Sequence, residues 1–557
     1  MRSRAPRTVT YLAAFTWGAG SLLIAAGCAS VLGFEDTTLR SDVNSEGGPI
    51  DNDGGPVDQD GNPLTDGAPS RLTTMPSSLT VVRGKTAEIT VDVARGGDVT
   101  GTVTVRLTDL PAGVTATSAV LAPPATAGKV TLSAAAKATL GPKTINLVAD
   151  GTALPPAPIP LLVTDAPGSL DTTFDGDGFV TDLAKGLGST FLGLAVQTDG
   201  RIIAVGSGGP AGGPLQGWIA RRYASASGAP EAAFTTASAG ALPADGELHA
   251  VAVEASGKIV CVGSSAPLIL GAAPQLTIVR LLSTGALDAT FGGGVVRLPA
   301  VEAVNGSIGL GVAVQADGSV VVVGSRRDAT DIEAGILTRF KSNGTRDAAF
   351  NGGATIAIPM ARMIGVVVDQ AGAIVAAGTT TSGALPSYLL TKRTALGAAD
   401  PTFGSAGVTT FGNTYRAEAF LRMADGALVV AGDVQQGSPA YTAGATTGKG
   451  DTLFAPRAFG LALGAGYFGA AAQDAKSFIA AGHTAVLNGE ARVERILVAD
   501  GKKDPTFGVA GTATIEPAGA ANGFDVTLFA AAVQSDGRIL VAGNRSNAGA
   551  VLYRLWP

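Results

Sequence analysis

Few residues of this chain have the types and spacing that catalysis or metal binding requires. Cys28 and Cys261 are its two cysteines, and His249 and His483 are its two histidines. A tetrahedral zinc site would have to gather all four from distant positions, so we expect none, and two cysteines supply no disulfide framework. Cys261 lies in an apolar stretch and is interpreted as a buried thiol. Neither histidine adjoins a nucleophile, so both are interpreted as structural or solvated rather than catalytic.

Acidic and glycine-rich turns do not supply a ligand site either. Asp175-Gly-Asp177-Gly lacks the third acid of a cation cage, and the aspartates at 51, 53, 58 and 60 lack the glycine and terminal glutamate of a calcium loop. The Gly208–Gly213 stretch follows a strand pattern and opens no helix, unlike a phosphate-binding loop. The sequence therefore predicts no metal, no cofactor and no catalytic residue.

Composition predicts a β scaffold and excludes a nucleic-acid partner. The chain of 557 residues is 46% hydrophobic and 15% charged, with 78 glycines and 30 prolines, which suits short strands joined by many turns. We therefore predict an all-β fold. The net charge is −6, and the 39 lysines and arginines are scattered singly or in pairs. Nucleic-acid binding needs clustered basic residues that neutralise phosphates, so that function is excluded.

The N-terminus has the form of an export signal. Arg2, Arg4 and Arg7 precede an uncharged stretch from Thr8 to Ala26. A basic segment followed by an apolar one is typical of a secretory signal, which we assign to residues 1–27. A plain cleaved signal and an uncleaved anchor remain as alternatives, because the stretch is near the lower length limit of a membrane span.

The residues around Cys28 predict lipidation. Ala25-Ala26-Gly27-Cys28 resembles the lipobox of bacterial lipoproteins, with Ala25 in place of the usual leucine. The resemblance implies that Cys28 becomes the acylated N-terminus of the mature chain and anchors it to a membrane. Ala29 follows the cysteine, and the lack of aspartate there implies sorting to the outer membrane, as in Gram-negative lipoproteins. A multiply acylated cysteine anchors a protein stably.

Two different segments follow the predicted anchor. Residues 28–70 are rich in Gly, Pro and Asp, and we predict a disordered acidic tether there. Residues 71–165 alternate polar and apolar side chains in short runs separated by turns, which predicts an immunoglobulin-like β-sandwich. The segment Leu110–Val114 resembles the Ig-like modules of secreted bacterial proteins. We interpret this sandwich as a spacer rather than a ligand-binding module.

Internal repeats dominate residues 167–557. A two-residue turn is followed by an apolar strand that ends in glycine, as in Asp199–Gly206 and Asp317–Gly324. Asp-Gly between apolar runs is a strong hairpin signal. The glycines that end the seven copies are Gly206, Gly263, Gly324, Gly378, Gly432, Gly482 and Gly543. Seven copies predict seven blades of about four strands, which is a seven-bladed β-propeller.

A second repeated element has an arginine in a strand, a turn, an acidic residue and then a phenylalanine. The arginines are Arg222, Arg280, Arg339, Arg393, Arg495 and Arg554. The acids are Asp171, Glu231, Asp288, Asp347, Asp400 and Asp504. The phenylalanines are Phe174, Phe234, Phe291, Phe350, Phe403 and Phe507. In one degenerate copy only Asp451 and Phe454 remain.

The ends of the repeat region predict how it closes. Asp171 and Phe174 have no preceding arginine strand, whereas Arg554 has no acid and phenylalanine after it. Joined, the two ends make one complete unit, which predicts Velcro closure of the propeller. Closure removes the exposed strand edges that invite aggregation.

The two repeated elements resemble the delta-60 repeat family of bacterial β-propellers over about residues 167–557. The resemblance implies a propeller fold and an association with the cell envelope, and it brings no activity or binding residues. The recurring side chains have structural interpretations. Each arginine is expected to pair with its acid rather than clamp a ligand, and each phenylalanine is expected to pack between neighbouring blades.

Two functions of different classes remain open. The first is a non-catalytic envelope lipoprotein whose propeller binds an envelope protein or a polysaccharide, with an outer-membrane assembly factor as one form of it. The alternative is a propeller glycosidase or lyase that acts on polysaccharide and needs facing carboxylates. Convergence of acids outside the repeat positions, such as Asp331, Glu333 and Glu418, at the mouth of the channel would favour this alternative.

Loops that interrupt the repeat are the predicted location of any site, because architecture does not explain them. They are Ser207–Gly217, Arg326–Ala334 and Asp433–Gly450.

Overall fold

The computed structural model describes residues 70–95, 99–182, 186, 188–209, 217–242, 246–265, 273–302, 304–380, 386–411, 415–434, 439–444, 457–458, 466–483, 491–515, 526–546 and 548–557. The predicted signal, Cys28 and the tether lie outside these residues. The described part is almost entirely β, which confirms the all-β prediction in its coarse form. It divides into two compact units, one holding residues up to 179 with 505–510 and 554–557, the other holding 180–504 and 511–553.

The first unit contains two β-sheets that share one hydrophobic core. Their orders are β1-β3-β7-β5 and β2-β9-β8-β4-β6, and β2 and β9 run parallel while the other neighbours are antiparallel. The strands are β1 (Arg71–Met75), β2 (Leu79–Val82), β3 (Thr86–Ala94), β4 (Val103–Thr108), β5 (Val114–Ala116), β6 (Ala119–Leu121), β7 (Ala127–Ala134), β8 (Gly141–Asp150) and β9 (Ala157–Thr164).

Alternation of side chains builds this core. In β3, Ile89, Val91 and Val93 are buried, and the residues between them are not. Successive side chains of a strand point to opposite faces, so an alternating strand buries one face and solvates the other. Both sheets contribute their apolar faces to a single cluster of buried residues, as a two-layer sandwich requires.

The second unit contains seven β-sheets, which we number in chain order. Sheet 1 has β11 (Thr190–Val196), β12 (Ile202–Gly208) and β13 (Gly217–Tyr223); sheet 2 has β14 (Glu247–Val253), β15 (Ile259–Ser265), β16 (Gln275–Leu281) and β17 (Val295–Arg297); sheet 3 has β18 (Ser307–Val314), β19 (Val320–Arg327), β20 (Glu333–Phe340) and β21 (Ile356–Pro359). Sheet 4 has β22 (Ala361–Val368), β23 (Ile374–Thr380), β24 (Tyr388–Arg393) and β25 (Val408–Phe411); sheet 5 has β26 (Tyr415–Arg422), β27 (Leu428–Val434), β28 (Pro439–Gly444) and β29 (Arg457–Ala458). Sheet 6 has β30 (Gly466–Ala472), β31 (Ser477–His483), β32 (Ala491–Leu497) and β33 (Thr512–Ile515); sheet 7 has β34 (Val526–Val533), β35 (Ile539–Arg545) and β36 (Gly549–Leu555), with β10 (Phe179–Asp182) as its fourth strand.

The helices of this part are short. Three 3₁₀ helices span Gly292–Gly294, Ala300–Glu302 and Asn351–Gly353. One α-helix, α1 (Ala232–Ala241), follows Glu231 where the other acid–phenylalanine copies form turns. Its sequence AAFTTASAGA is rich in alanine, the strongest helix former, which explains a helix that the strand pattern does not predict.

The first strands of the seven sheets contact one another in a closed cycle. β11 contacts β14, each later first strand contacts the next, and β34 contacts β11 again. Second strands such as β12, β15 and β31 are buried along their whole length, because neighbouring sheets cover both faces. This explains why the repeated strands are apolar throughout rather than alternating.

Each first strand carries a β-bulge at the same place. The strand pairs normally up to one residue, skips the next, and resumes pairing at the one after. The residues skipped at the seven bulges are Leu192, His249, Leu310, Ile364, Glu418, Phe468 and Phe529. We call these the bulge positions. A bulge bends its strand and changes the direction of its side chains.

The repeated glycine lies opposite this bulge in every sheet. A Cβ on Gly263 would lie 1.8 Å from the carbonyl oxygen of Glu247, and one on Gly324 would lie 1.9 Å from that of Ile308. The other five glycines of the set meet the same obstacle, at 1.8–2.2 Å. The glycine that ends each apolar strand is therefore required by close backbone approach.

A ring of small residues lies directly after the bulges. Its members are Gly193, Ala250, Gly311, Gly365, Ala419, Gly469 and Ala530. A Cβ on Gly311 would lie 2.9 Å from the Cα of Gly365, and one on Gly469 would lie 2.7 Å from the backbone of Ala530. At these two junctions the equivalent positions of adjacent first strands meet at one level, whereas a Cβ on Gly365 would lie 2.7 Å from the Phe420 side chain of the next first strand.

Glutamine side chains also link neighbouring sheets. Nε2 of Gln473 donates to the Gly537 carbonyl at 2.8 Å, which joins sheets 6 and 7. Nε2 of Gln534 donates to the carbonyl of Gly200 at 3.2 Å and to Oγ of Ser225 at 3.1 Å, which joins sheets 7 and 1. The cycle of sheets is thus closed by hydrogen bonds as well as by packing.

The glycine opposite the bulge gives a direct stability prediction. Gly324→Ala should lower the free energy of unfolding of the repeat unit by about 1–3 kcal/mol or more, because the new methyl group collides with a backbone carbonyl. The matched control is Gly101→Ala, where a Cβ meets nothing within 4 Å and the backbone has no left-handed φ. Urea unfolding measures both. Equal effects of the two substitutions would contradict the steric explanation.

Candidate functional site

The repeated arginines lie next to the acids that follow them. The nitrogen–oxygen distances are 2.7 Å for Arg222–Glu231, 2.8 Å for Arg280–Asp288, 2.7 Å for Arg339–Asp347, 2.9 Å for Arg495–Asp504 and 2.8 Å for Arg554–Asp171. Nε of Arg280 donates to the Asp288 carboxylate, and both side chains are almost fully buried. Charge-assisted bonds of this kind are strong and directional.

Four of the repeated arginines also cover the phenylalanine of their own copy. The guanidinium carbon lies 4.6 Å from the ring centroid for Arg280 over Phe291, and 4.7 Å for Arg339 over Phe350. The pairs Arg222–Phe234 and Arg554–Phe174 have the same geometry at 4.6 Å. Phe403 and Phe507 are buried as well. A cation over a buried ring adds about 1–2 kcal/mol of attraction.

The same groups reach the next sheet. Nη1 of Arg339 donates to the Ala395 carbonyl of sheet 4 at 2.7 Å, and a Cβ on Gly397 would lie 3.0 Å from the Phe350 ring. Arg222 likewise donates to the carbonyl of Ser283 in sheet 2. The arginine and the phenylalanine therefore join consecutive sheets, and these side chains are occupied by the architecture.

In the fourth copy, the basic partner of the acid differs from the one predicted from the sequence. Lys392, not Arg393, forms the ion pair with Asp400, at 3.1 Å. Strand register explains this difference. Lys392 pairs with the second residue of β23, just as Arg280 and Arg339 pair with the second residues of β15 and β19. Arg393 lies one residue further along β24. Nε of Arg393 is buried without a hydrogen bond. Burial lowers the pKa of Arg393.

The two ends of the repeat region meet through Asp171 and Arg554. Both side chains are fully buried, and Nη2 of Arg554 also donates to the Thr173 hydroxyl at 3.0 Å. The backbone N–H of Asp171 donates to the Arg554 carbonyl at 2.9 Å. Residues 383 positions apart thus make the same contacts that other copies make within one hairpin.

Two of the paired acids, Asp347 and Asp400, have pKa values that their partners lower. Burial alone would raise the pKa of the Asp347 carboxyl, but the Ala349 N–H and the Arg339 guanidinium outweigh it and lower that pKa. The Thr402 hydroxyl and the Lys392 ammonium lower the pKa of Asp400 to about 2. Groups that stay charged because of structural partners are poor proton donors near neutral pH, which argues against general acid catalysis by the repeated acids.

The residue two positions before each skipped bulge residue lies at or next to the start of the first strand. These seven residues, which we call the rim positions, are Thr190, Glu247, Ile308, Arg362, Arg416, Gly466 and Thr527. All except Gly466 are at least partly exposed. They vary in charge and size, so the repeat does not specify them. Residues that break a repeat are candidates for binding.

His249 is the most unusual side chain at the bulge positions. Five of the seven bulge residues are apolar, and His249 and Glu418 are ionisable. His249 is 1% exposed, and neither ring nitrogen makes a hydrogen bond. Its Nε2 lies 3.5 Å from the Glu247 carboxylate. Buried polar atoms are normally satisfied, so the two unpaired nitrogens of this imidazole depart from the usual rule.

The environment keeps this histidine neutral. Burial, reinforced by the positive charge of Arg362, lowers the pKa of His249 to about 3. Burial also raises the pKa of Glu247. The contact between Glu247 and His249 is therefore not an ion pair at neutral pH. A neutral imidazole offers one N–H donor and one nitrogen acceptor.

Two guanidinium groups at the rim make no described ion pair or hydrogen bond. Arg362 is partly buried and Arg416 is exposed, and they occupy the same rim position on β22 and β26, which contact each other. Most other arginines of the described repeat sheets have an acid or a carbonyl as partner. We take the candidate site to be Glu247, His249, Arg362, Arg416 and Glu418.

Of the loops and acids that the sequence singled out, the loop Arg326–Ala334 and Asp331 lie outside the candidate site. In Arg326–Ala334, the Asp328 carboxylate accepts hydrogen bonds from Thr330 and Ile332, and Asp331 pairs with Arg327 at 3.0 Å on the surface. Glu418 is buried on β26 of another sheet. The structure therefore does not bring Asp331 together with Glu418. Residues 210–216, 435–438 and 445–450 of the other two loops lie outside the described part.

The described residues show neither a metal-binding cluster nor a membrane-spanning helix. No cluster of three or more His, Cys, Asp or Glu side chains there has the geometry to hold a metal ion. No described helix is long and apolar enough to cross a membrane. Cys261 is buried as a free thiol in β15. His483 is buried and stacks on Phe468, with ring centroids 4.9 Å apart.

The rim was missed by sequence reasoning although a signal existed. Each Asp-Gly hairpin is preceded by a first strand whose small residue, Gly or Ala, lies at a constant place in the copy. Aligning the seven copies on that residue would have isolated the bulge position one residue before it and the rim position three residues before it. The bulge itself leaves no mark in hydrophobic periodicity, which is why the first strands appeared uniformly apolar.

The ion pairs carry a stability prediction. Arg339→Ala should lower the free energy of unfolding by about 3 kcal/mol, because it leaves the buried Asp347 carboxylate without its cation. The matched control is Arg327→Ala, whose exposed pair with Asp331 should contribute at most about 1 kcal/mol. Denaturant unfolding of both variants is the measurement. An unchanged midpoint for Arg339→Ala would contradict the structural role.

The buried histidine carries a pH prediction. Between pH 6.5 and about 3 the unfolded chain binds a proton at residue 249 that the folded chain does not. Stability therefore falls as the pH falls through this window, by up to about 1.4 kcal/mol per pH unit for one proton. His249→Leu, which places the residue of Leu192 and Leu310 at this bulge, should remove that part of the slope. Identical slopes for both proteins would show that His249 is protonated in the folded state.

Comparison with known proteins agrees with the repeat geometry. Residues 254–291, 315–350 and 534–557 match the family model described as "Domain of unknown function (DUF5122) beta-propeller". The first two segments contain the second and third strands of sheets 2 and 3 with the Arg, Asp and Phe of those copies, and the last contains β35 and β36. No curated protein matches the chain. The family match and the nearly all-β structure together support a β-propeller repeat family.

Proposed function

We propose that this chain is an exported lipoprotein that presents a seven-bladed β-propeller as a non-catalytic binding surface of the cell envelope. The seven sheets would be the blades, and the cycle of contacts among their first strands supports this reading. The Asp171–Arg554 contact supports Velcro closure, since it completes one copy from both ends of the repeat region. A propeller offers a broad face at one end of its inner strands, which suits docking.

The order of segments supports presentation of that surface. We propose that Cys28 is acylated and anchors the chain in the outer membrane, and that residues 28–70 form a flexible acidic tether. The two-sheet unit would be an Ig-like spacer. Its apolar side chains are used by its own core, which supports a spacer role.

The binding proposal rests on residues that differ from one copy of the repeat to the next. The arginine, acid, phenylalanine and glycine of each copy are occupied by contacts within and between sheets, so they are not free to select a ligand. The rim and bulge residues follow no such rule, and they include an unpaired buried imidazole and two guanidinium groups without a described partner. Polar groups that architecture does not use are the best candidates for recognition.

The alternative is a propeller enzyme acting on polysaccharide. It would need two carboxyl groups facing each other across a glycosidic bond. The observation in its favour is the neighbouring pair of Glu247 and His249, whose pKa values burial shifts in opposite directions, since perturbed titratable groups cluster at active sites. The described contacts place one partly exposed carboxyl group in that pair rather than two facing ones.

The anchor and the binding role are tested together. Cys28→Ser should move the exported protein from the membrane fraction to the soluble fraction, because acylation needs the thiol. The soluble protein should then retain envelope polysaccharides on a column without shortening them. The wild-type chain, fractionated in parallel, is the control.

Two results would count against the proposal. A Cys28→Ser protein that stays in the membrane fraction would show that lipid on this residue is not the anchor. Release of shorter saccharides, measured as new reducing ends, would establish the enzyme alternative instead.

A further inference from the structure

Sheet 1 differs from the other six sheets in its last strand. Within the described residues it has three strands, whereas each of the others has a fourth strand that pairs with the third. In sheets 4 and 6 the fourth strands, β25 (Val408–Phe411) and β33 (Thr512–Ile515), begin five residues after Phe403 and Phe507. Counted in the same way from Phe234, the corresponding residues of the first copy are 239–242, at the end of α1 (Ala232–Ala241).

The register of the other sheets shows where such a strand would lie on β13. The residue before the repeated basic residue pairs with the first residue of the fourth strand, as Thr391 does with Val408. On β13 that residue is Arg221, because Arg222 is the repeated arginine. Residues 239–242 would therefore pair with residues 218–221 in the reverse order, with 239 opposite 221 and 240 opposite 220.

The sequence after α1 is that of a fourth strand. Leu242 is followed by Pro243, just as Leu298 is followed by a proline where the fourth strand of sheet 2 ends. There the Leu298 N–H donates to the Leu276 carbonyl of the third strand at 2.9 Å. In sheet 3 an Ile-Pro pair ends β21 (Ile356–Pro359) at the same distance from the repeated phenylalanine. Sequence alone therefore favours a strand at the place where the structure has a helix.

The connection is also long enough for a strand. Phe234 is fixed beneath Arg222, whose guanidinium carbon lies 4.6 Å from the ring centroid, and β14 begins at Glu247. The chain from Phe350 to Ala361 is shorter than this connection, yet it contains the fourth strand of its sheet. The fixed ends of the segment therefore permit both conformations.

Few interactions hold α1 in place. Two of its described side chains, Phe234 and Ser238, are fully buried. Glu231 at its N-cap makes no side-chain capping bond, and the first turn has no acidic residue and the last turn no basic one. Capping bonds and charges that oppose the helix dipole normally stabilise helix ends, and helices this short are marginal without other support.

The helix also satisfies the edge of β13 poorly. Oγ of Ser238 lies 3.1 Å from the Ala220 carbonyl oxygen and 3.1 Å from that of Thr235, so its single proton is shared between two acceptors. At the equivalent position of sheet 3, Leu337 pairs with Ile356 of the fourth strand. A strand would supply backbone partners along the edge, but Ala, Gly and Ala at 239–241 are weak strand formers. Each conformation thus lacks something that the other has.

We propose that helix α1 and a fourth strand of sheet 1 are two alternative conformations of the same segment. In the second conformation residues 239–242 leave the helix and pair with residues 218–221 of β13. Two packings of one sequence that differ little in free energy form a conformational switch. This switch decides whether the outer edge of β13 is closed by its own chain or open to pairing with another strand. The inference is independent of the proposed binding function.

Disulfide trapping in the full-length Cys28→Ser protein tests the switch. Its remaining native cysteine, Cys261, is buried. Ala220→Cys combined with Gly240→Cys should form a bridge under mild oxidation, because strand pairing places the two side chains opposite each other. Arg221→Cys combined with Ala239→Cys is a second pair in the same register, which serves if a cysteine at 220 prevents folding. Mass spectrometry of non-reduced peptides measures the yield.

The matched control is the crossed pair, Ala220→Cys with Ala239→Cys. Successive side chains of a strand point to opposite faces, so this pair should bridge about tenfold less than the pair in register. Equal yields from the crossed pair and the register pairs would show unspecific opening of the helix and overturn the inference. Absence of a bridge in both register pairs would overturn it as well.

Two further substitutions should shift the equilibrium in opposite directions. Thr236 and Ala239 are both exposed in the helix. Ala239→Val disfavours a helix and favours a strand, so it should raise the rate of bridging between cysteines at 220 and 240 about threefold. Thr236→Ala strengthens the helix outside the pairing residues and should lower that rate about threefold. Rates that stay equal, or that move in the same direction, would contradict the two-state exchange.

Discussion

The close backbone contact between a bulged first strand and the glycine opposite it is the constraint on which the repeat unit depends. In each sheet the carbonyl of the rim residue occupies the space that a Cβ would need on the second strand. Without that glycine the two strands could not keep their register through the bulge. The small residues after the bulges let adjacent first strands approach closely, as Gly311 and Gly365 do, and this close approach helps to set the spacing of the cycle.

The arginine–acid–phenylalanine groups fix the other edge of the sheets. A buried ion pair contributes less to stability than its geometry suggests, because desolvation opposes the attraction between the charges. Its value here lies in specificity, since Arg339, for example, must find one carboxylate, one ring and one carbonyl together. The Asp171–Arg554 pair applies the same requirement to segments from opposite ends of the repeat region, so closure in the wrong register would leave two charges buried without partners.

Sequence reasoning identified the features that recur and missed those that arise from pairing between strands. The Asp-Gly turns, the glycines and the arginine–acid spacing are visible because local geometry imposes them in each copy. Arg393 was misassigned to an ion pair because spacing alone does not separate two adjacent basic residues, whereas the register of β23 and β24 selects Lys392. Helix α1 was missed because an alanine-rich insertion replaced a turn. The rim stayed hidden because bulges do not alter composition.

A repeat that is uniform in structure can bind an asymmetric ligand only where its symmetry is broken. The packing residues of the seven sheets are nearly interchangeable, so a site built from them would occur seven times. The rim and bulge residues differ from sheet to sheet at no cost to the cycle, since the strand contacts are made by the backbone and by the small-residue ring. His249 illustrates this freedom, because Leu192 and Leu310 fill the same position in the sheets on either side of it. An imidazole at that position leaves two buried polar atoms without hydrogen bonds, so it costs stability that a leucine there would not cost.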